Sequence, residues 1–241
     1  MKKINILVAC EESQAITKEL RKLGHNAYSC DLLSCSGGHP EWHFNEDVFK
    51  VIKNKGGVLQ NGEKVKLKDN WEMMIAHPPC TFLAVSGARW YYDPKDNKLP
   101  FDQRGPHPRF PNRAKDKEEA IEFIKKLWNC PIEKIVIENP IGILSTRWEK
   151  PTQIVHPWMF GDEASKATCL WIKKLPKLKP TNIVGKGERV ILSSGKSLPK
   201  WYSDALSKSK NAAERRTMRS KTFEGMAIAM AEQWTNEEKT D

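Results

Sequence analysis

The chain has no apolar run long enough to cross a bilayer, no glycine before Gly24, no paired cysteine framework and no surplus of acid. Each absence excludes something. A membrane-spanning helix needs about 20 consecutive apolar residues, so none is expected. The chain does not open on an apolar leader, and its six cysteines are irregularly spaced. Both features predict a reducing cytoplasm rather than a disulfide scaffold. The one metal-like spacing is Cys30, Cys35, His39 and His43. It is interrupted by Gly37-Gly38 and has no second paired set, so it reads as a loop after the second strand and no metal is expected. Forty Lys and Arg against thirty Asp and Glu leave a formal charge of +10. That balance suits a polyanionic partner such as nucleic acid, although a lysine surplus also serves plain solubility.

What is present is organised around Met73-Met74-Ile75-Ala76-His77-Pro78-Pro79-Cys80 and, some way downstream, Ile135-Val136-Ile137-Glu138-Asn139-Pro140. Each is an apolar run that stops in a polar cluster, as a buried parallel strand does where its carboxyl end opens on a site. If the two strands are neighbours, a thiol and a carboxyl group share one crevice. Two prolines stiffen the turn that aims Cys80. A buried carboxyl whose surroundings raise its pKa stays protonated and can donate to a base, which is the role expected of Glu138. The alternative for Cys80 is an inert buried thiol.

A Pro-Pro-Cys after one strand and a Glu-Asn-Pro after the next, in that order, resembles the cytosine-5 DNA methyltransferases. In its length the chain resembles the short members that lack a large target-recognition domain, which in that family are often phage-encoded and would shield DNA from host restriction. The resemblance implies an α/β, doubly wound Rossmann-like sheet with flanking helices, S-adenosylmethionine as cofactor and DNA as partner. It assigns Cys80 as the nucleophile that adds to carbon 6 of cytosine and Glu138 as the acid on ring nitrogen 3. It also implies base or phosphate contacts from Pro79, Ser86, Arg89, Asn139 and Pro140. Lys166 and Thr168 stand nearest to an arginine cluster that this chain does not have. For the cofactor it implies Ala9, Cys10, Glu11 and Ser13 after the first strand, Asp31 and Leu32 after the second, Asp47 near the adenine, and Pro78. The first-strand loop departs from the family's glycine-rich turn, so close backbone approach to the methionine carboxylate is not given; Ser13 and the helix N-terminus are the expected substitutes. Two other readings stay open: a catalytically silent nucleic-acid-binding protein, and a methyltransferase acting on RNA or free cytosine nucleotides.

One domain over 1–241 is expected, with a core over 4–180, a basic loop over 181–210 and a C-terminal helix over 211–235 returning to the core near the cofactor. Ser13 is expected to cap a helix that runs to about Leu23. Asn61-Gly62 between alternating residues predicts a type I′ hairpin. The long polar stretch after Cys80 holds Arg89, Arg104, Arg109 and Arg113 among Trp90, Tyr91 and Tyr92, a mix suited to phosphate and base contact. A solvated loop with its aromatics packed beneath is the alternative.

Overall fold

In the computed structural model, which describes residues 2–236, the chain begins with β1 (Asn5–Ala9), α1 (Ala15–Lys22), β2 (Asn26–Asp31), β3 (His43–Asn45) and α2 (Val48–Asn54). A hairpin of β4 (Gly56–Val58) and β5 (Lys64–Lys66) precedes β6 (Met73–Ala76). After a long irregular stretch come α3 (Arg113–Trp128), β7 (Lys134–Pro140), α4 (Leu144–Arg147), β8 (Gln153–Val155) and β9 (Thr168–Lys173). The chain closes with a second hairpin, β10 (Arg189–Ile191) and β11 (Ser197–Pro199), then α5 (Lys200–Lys208), α6 (Ala212–Ser220) and α7 (Glu224–Thr235).

Seven strands form one sheet in the order β3-β2-β1-β6-β7-β9-β8. The first five are parallel, and β9 runs antiparallel to both β7 and β8. Strand order reverses between β1 and β6, which makes their carboxyl ends the switch point where open α/β sheets bind ligands. The central strands are apolar without alternation because both sheet faces are covered. Leu7, Ala9, Met74, Ala76, Ile135 and Ile137 meet α2 and α3 on one face. Ile6, Val8, Met73, Ile75 and Val136 meet α1 and α7 on the other. This is the expected doubly wound, Rossmann-like arrangement. Each fully buried Leu, Ile or Met contributes about 1.5–3 kcal/mol, so the strand ends are held far more firmly than any single hydrogen bond could hold them.

Four local expectations are corrected. Ser13 does not cap α1. The N-cap position is Gln14, in left-handed backbone (φ 57°) with no side-chain capping bond, because its amide reaches away to Ser29 and His39. Glu11 caps the helix instead, accepting from the Ile16 amide at 2.7 Å, the Thr17 amide at 3.3 Å and the Thr17 hydroxyl at 2.6 Å. The Asn61-Gly62 turn is not type I′, which requires positive φ at both central residues. Gly62 has φ 91° but Asn61 is not among the positive-φ residues, and the Asn61 side chain accepts from the Glu63 amide. The interval 181–210 is not simply loop, since it holds β10, β11 and α5. Finally, α7 does return to the core, but against α1, on the face away from the cavity described below.

Glu11→Ala leaves the first-turn amides of α1 without their acceptor. A lost cap and orphaned donors together cost about 1–3 kcal/mol, so the urea midpoint of the variant is expected to fall accordingly. An unchanged midpoint combined with weaker S-adenosylmethionine binding would instead make Glu11 a ligand contact.

Candidate active site

The parallel register pairs Ala76 with Ile137, so the residues that follow, His77 and Glu138, emerge side by side. His77 Nδ1 lies 3.1 Å from Glu138 Oε2. One residue on, the Asn139 amide donates to the Pro78 carbonyl at 2.9 Å. Beyond Cys80 the two chains meet again. The Val85 amide donates to the Ile141 carbonyl, and the Ile143 amide to the Leu83 carbonyl. A Cβ at Gly142 would lie 2.1 Å from the Leu83 oxygen, so only glycine permits that approach. The turn bearing Cys80 is therefore bound on both sides to the segment bearing Glu138. Two buried polar atoms in this clamp, His77 Nε2 and Asn139 Oδ1, have no hydrogen-bond partner.

The electrostatics differ from expectation at one point. Burial pushes the Glu138 carboxyl up, but the His77 hydrogen bond, the Lys166 charge and the His77 charge together outweigh it, and the group sits below the ordinary glutamate range. Glu138 is thus an acceptor for His77 rather than a carboxyl held protonated by burial alone. On the neighbouring strand Thr168 is the register partner of Pro140, and Lys166, whose charge reaches Glu138, donates to the Lys221 carbonyl.

A cavity of about 400 Å³ opens at the carboxyl ends of β1, β2 and β3. Its lining includes Cys10, Asp31, Leu32 and Asp47, all expected to meet the cofactor, and Pro79, expected at the base. Phe82, Ala120 and Phe123 give it apolar walls, and Asp31, Glu46, Asp47, Asp116 and Glu119 give it five carboxylates with no lysine or arginine. That lining suits a ligand with a flat apolar part and with hydroxyl or cationic groups for the acids. Asp31 accepts from the Leu33 amide, and burial, the largest influence on it, holds its carboxyl above the usual range. Asp47 caps α2 through the Phe49 and Lys50 amides. The Cys10 thiol is pushed up to about 12 by burial and by Asp31 and Asp47, which keeps it neutral and unreactive at pH 7.

Other expected cofactor contacts are placed differently. Ala9 is fully buried and its carbonyl accepts from the His77 amide. Pro78 is buried within the clamp. Ser13 packs its carbonyl toward Gly37 and does not line the cavity. The N-terminus of α1 cannot take the methionine carboxylate as proposed from the sequence, because the Glu11 carboxylate already fills it.

The stretch after Cys80 is pinned by its own cations. Arg113 donates to the Thr81 carbonyl at 2.8 Å and lies over Phe82, while Arg104 bonds the Leu99 and Asn97 carbonyls and covers Phe101. Trp90 packs edge-on against His107 and Phe110. Ser86 and Arg89 remain exposed beside the Cys80 turn, with Arg89 over the Trp90 ring. Arg104 and Arg113 thus shape the loop rather than standing free for phosphate.

Sequence reasoning missed His77, although an ionisable residue between a fully apolar strand and Pro-Pro-Cys was a legible signal. It also missed the buried network in which Gln14 donates to the Ser29 hydroxyl, Ser29 meets His43 Nδ1 at 2.8 Å, and His43 Nε2 meets the Leu33 carbonyl at 2.9 Å. That network positions the loop following Asp31 and engages both His43 nitrogens, leaving neither for a metal.

No protein-family profile matches the chain. Among curated proteins it is similar to the recombination-associated protein RdgC of Salmonella typhimurium, Salmonella typhi and Salmonella agona. Each is 23% identical over 154 residues, which are 64% of this chain and 48% of the relative. The matched region thus spans about half the length of those relatives. Among solved structures it is similar to the Entamoeba histolytica methyltransferase EhMeth, at 15% identity and a TM-score of 0.37, covering 86% of this chain and 66% of that one. Among the described residues no helix is long and apolar enough to cross a membrane.

Because the fold holds Glu138 below its ordinary range, the folded protein favours the ionised form. That contribution is fully present above about pH 4.3 and is lost as pH falls through the folded value. The stability gap between wild type and Glu138→Gln is therefore expected to narrow from pH 5 to pH 3 in urea titrations. A gap that stays constant or widens would mean that burial outweighs His77 and Lys166.

Proposed function

We propose that this protein transfers a methyl group from S-adenosylmethionine to carbon 5 of cytosine in DNA, through transient attachment of the base to Cys80. The observation that carries the reading is the clamp: His77 on Glu138 and Asn139 on Pro78, which hold a thiol-bearing turn against a carboxyl group next to an acidic, apolar-walled cavity. A neutral pyrimidine carbon is a poor nucleophile, and addition of a thiolate at carbon 6 makes carbon 5 electron-rich.

In this mechanism the Cys80 thiolate forms the S–C6 bond. The C5=C6 pair moves to C4–C5, and the displaced C4=N3 pair takes up a proton on nitrogen 3. Glu138 meets nitrogen 3 with a proton shared with His77, so the acid is the pair rather than a carboxyl kept neutral by burial. When bound in the cavity, S-adenosylmethionine supplies an electrophilic methyl group. Asp31 would take its ribose hydroxyls, and the other carboxylates that line the cavity would offset its positive charge. Once carbon 5 is methylated, loss of its hydrogen as a proton to a solvent water restores C5=C6, breaks the S–C6 bond and returns Cys80 as thiolate, while nitrogen 3 returns its proton to Glu138.

A second reading, a nucleic-acid-binding chain without turnover, draws on the helix N-terminus filled by Glu11. The recombination-associated relatives are named for a process on DNA, which agrees with a DNA partner in either case.

The test is to incubate purified protein with unmethylated plasmid and S-adenosylmethionine and to quantify 5-methylcytosine by nucleoside mass spectrometry. Wild type is expected to form it, and Cys80→Ser to lower the rate by about three orders of magnitude or more, since a hydroxyl is far less nucleophilic at neutral pH. Product from Cys80→Ser within tenfold of wild type would overturn the covalent route. Methylation of RNA or nucleotides but not plasmid would overturn DNA as the substrate.

A further inference from the structure

The amino-terminal end of the sheet carries a second cavity, of about 480 Å³, lined by Lys3, Lys18, Arg21, Lys22, Gly24, His25, His39 and Trp42. Lys3 precedes β1, and Gly24 and His25 precede β2, so this cavity and the acidic one lie at opposite ends of the same strands. The separation along β1 alone is about 16 Å at the usual rise per residue. The charge is reversed as well. Four cations and no carboxylate line this cavity, whereas five carboxylates and no lysine or arginine line the other.

Two features show a built site rather than a scatter of surface lysines. His25 is 2% exposed. The Ile4 amide approaches its Nδ1 at 3.4 Å, which leaves the hydrogen on Nε2, and that buried atom has no partner. Arg21 is fixed by its Nε donating to the Ala27 carbonyl at 2.6 Å and by stacking over Tyr28 and Trp42, yet one of its terminal nitrogens is also buried without a partner. Unpaired buried donors are rare because each loses its hydration for nothing; two of them, on side chains that line one cavity among lysines, suit an acceptor with several oxygens. Trp42 is stacked by His39 at 3.8 Å and covered by Arg21, so it serves as a wall and not as a platform for a base. Nearby acids are already engaged: Glu19 with Lys22, Glu41 with His39 and Glu72 with Lys2.

We propose that this cavity binds a phosphate group, with Arg21 and the His25 Nε2–H as inner donors and Lys3 and Lys18 as the outer ring. The phosphate belongs either to a DNA backbone, as a second contact away from the methylation crevice, or to a free nucleotide. The proposal stands independently of the methyl-transfer reading, because it needs neither Cys80 nor the acidic cavity.

Its test compares Lys3→Glu/Lys18→Glu with Lys64→Glu/Lys68→Glu, a pair of equal net charge at and just beyond β5, after thermal melts show both are folded. One arm measures anisotropy of a labelled 14-base-pair duplex across a salt series, and the other titrates inorganic pyrophosphate calorimetrically. The site variant is expected to bind one probe at least tenfold more weakly than wild type, with the charge-matched control within twofold. Loss in the duplex arm, with a log–log salt slope shallower by about 2, identifies a backbone phosphate; loss in the pyrophosphate arm identifies a nucleotide. Equal losses in both variants, or no binding of either probe by wild type, would overturn the proposal.

Discussion

The bonds between the ends of β6 and β7 are the constraint on which the rest of the site depends. Parallel register delivers His77 next to Glu138, the Asn139 amide fastens Pro78, and the absent side chain of Gly142 lets the backbone beyond Cys80 close on the segment beyond Pro140. Each bond is modest, since a neutral hydrogen bond nets only about 0.5–1.5 kcal/mol. They suffice because the strands beneath are buried on both faces and already fixed. The sheet's apolar packing sets position, and the polar clamp sets the direction in which the thiol and the carboxyl face.

Charge is segregated along the strands in the same economical way. The carboxyl ends of β1 to β3 gather acids around an apolar-walled cavity, and their amino ends gather lysines and arginine. Glu11 belongs to this pattern. In a fold with a glycine turn, the N-terminus of the first helix is open to a ligand's anion; here an internal carboxylate satisfies it. The cavity is therefore suited to a cationic ligand held by fixed acids.

Much of this was legible in the sequence, for a definite reason. Strands buried on both faces must be apolar throughout, so the runs ending in His77-Pro78-Pro79-Cys80 and in Glu138-Asn139-Pro140 announced both their class and their open ends. In α3, Ile121, Ile124 and Leu127 recur at helical spacing because that face too is buried. What was not legible depends on partners distant in the chain. Ser13 looked like a cap, but Gln14 is drawn away by Ser29 and His39, and Glu11 has the reach. Glu138 looked like a carboxyl kept neutral by burial, but His77 and Lys166 reverse the balance. Arg104 and Arg113 looked like free cations, yet both donate to carbonyls of the stretch after Cys80. The short strands β10 and β11 have too few apolar residues to announce themselves.

The most direct test of the account is whether Cys80 bonds covalently to a cytosine ring. A duplex containing 5-fluorocytosine, which cannot lose a proton from carbon 5, is incubated with the wild-type chain and S-adenosylmethionine, and the denatured complex is digested and sequenced by mass spectrometry. The account predicts a complex that survives denaturation, with the nucleotide mass on the peptide carrying Cys80. An adduct on Cys10, Cys35 or Cys130, or no adduct although calorimetry shows S-adenosylmethionine bound, would contradict it.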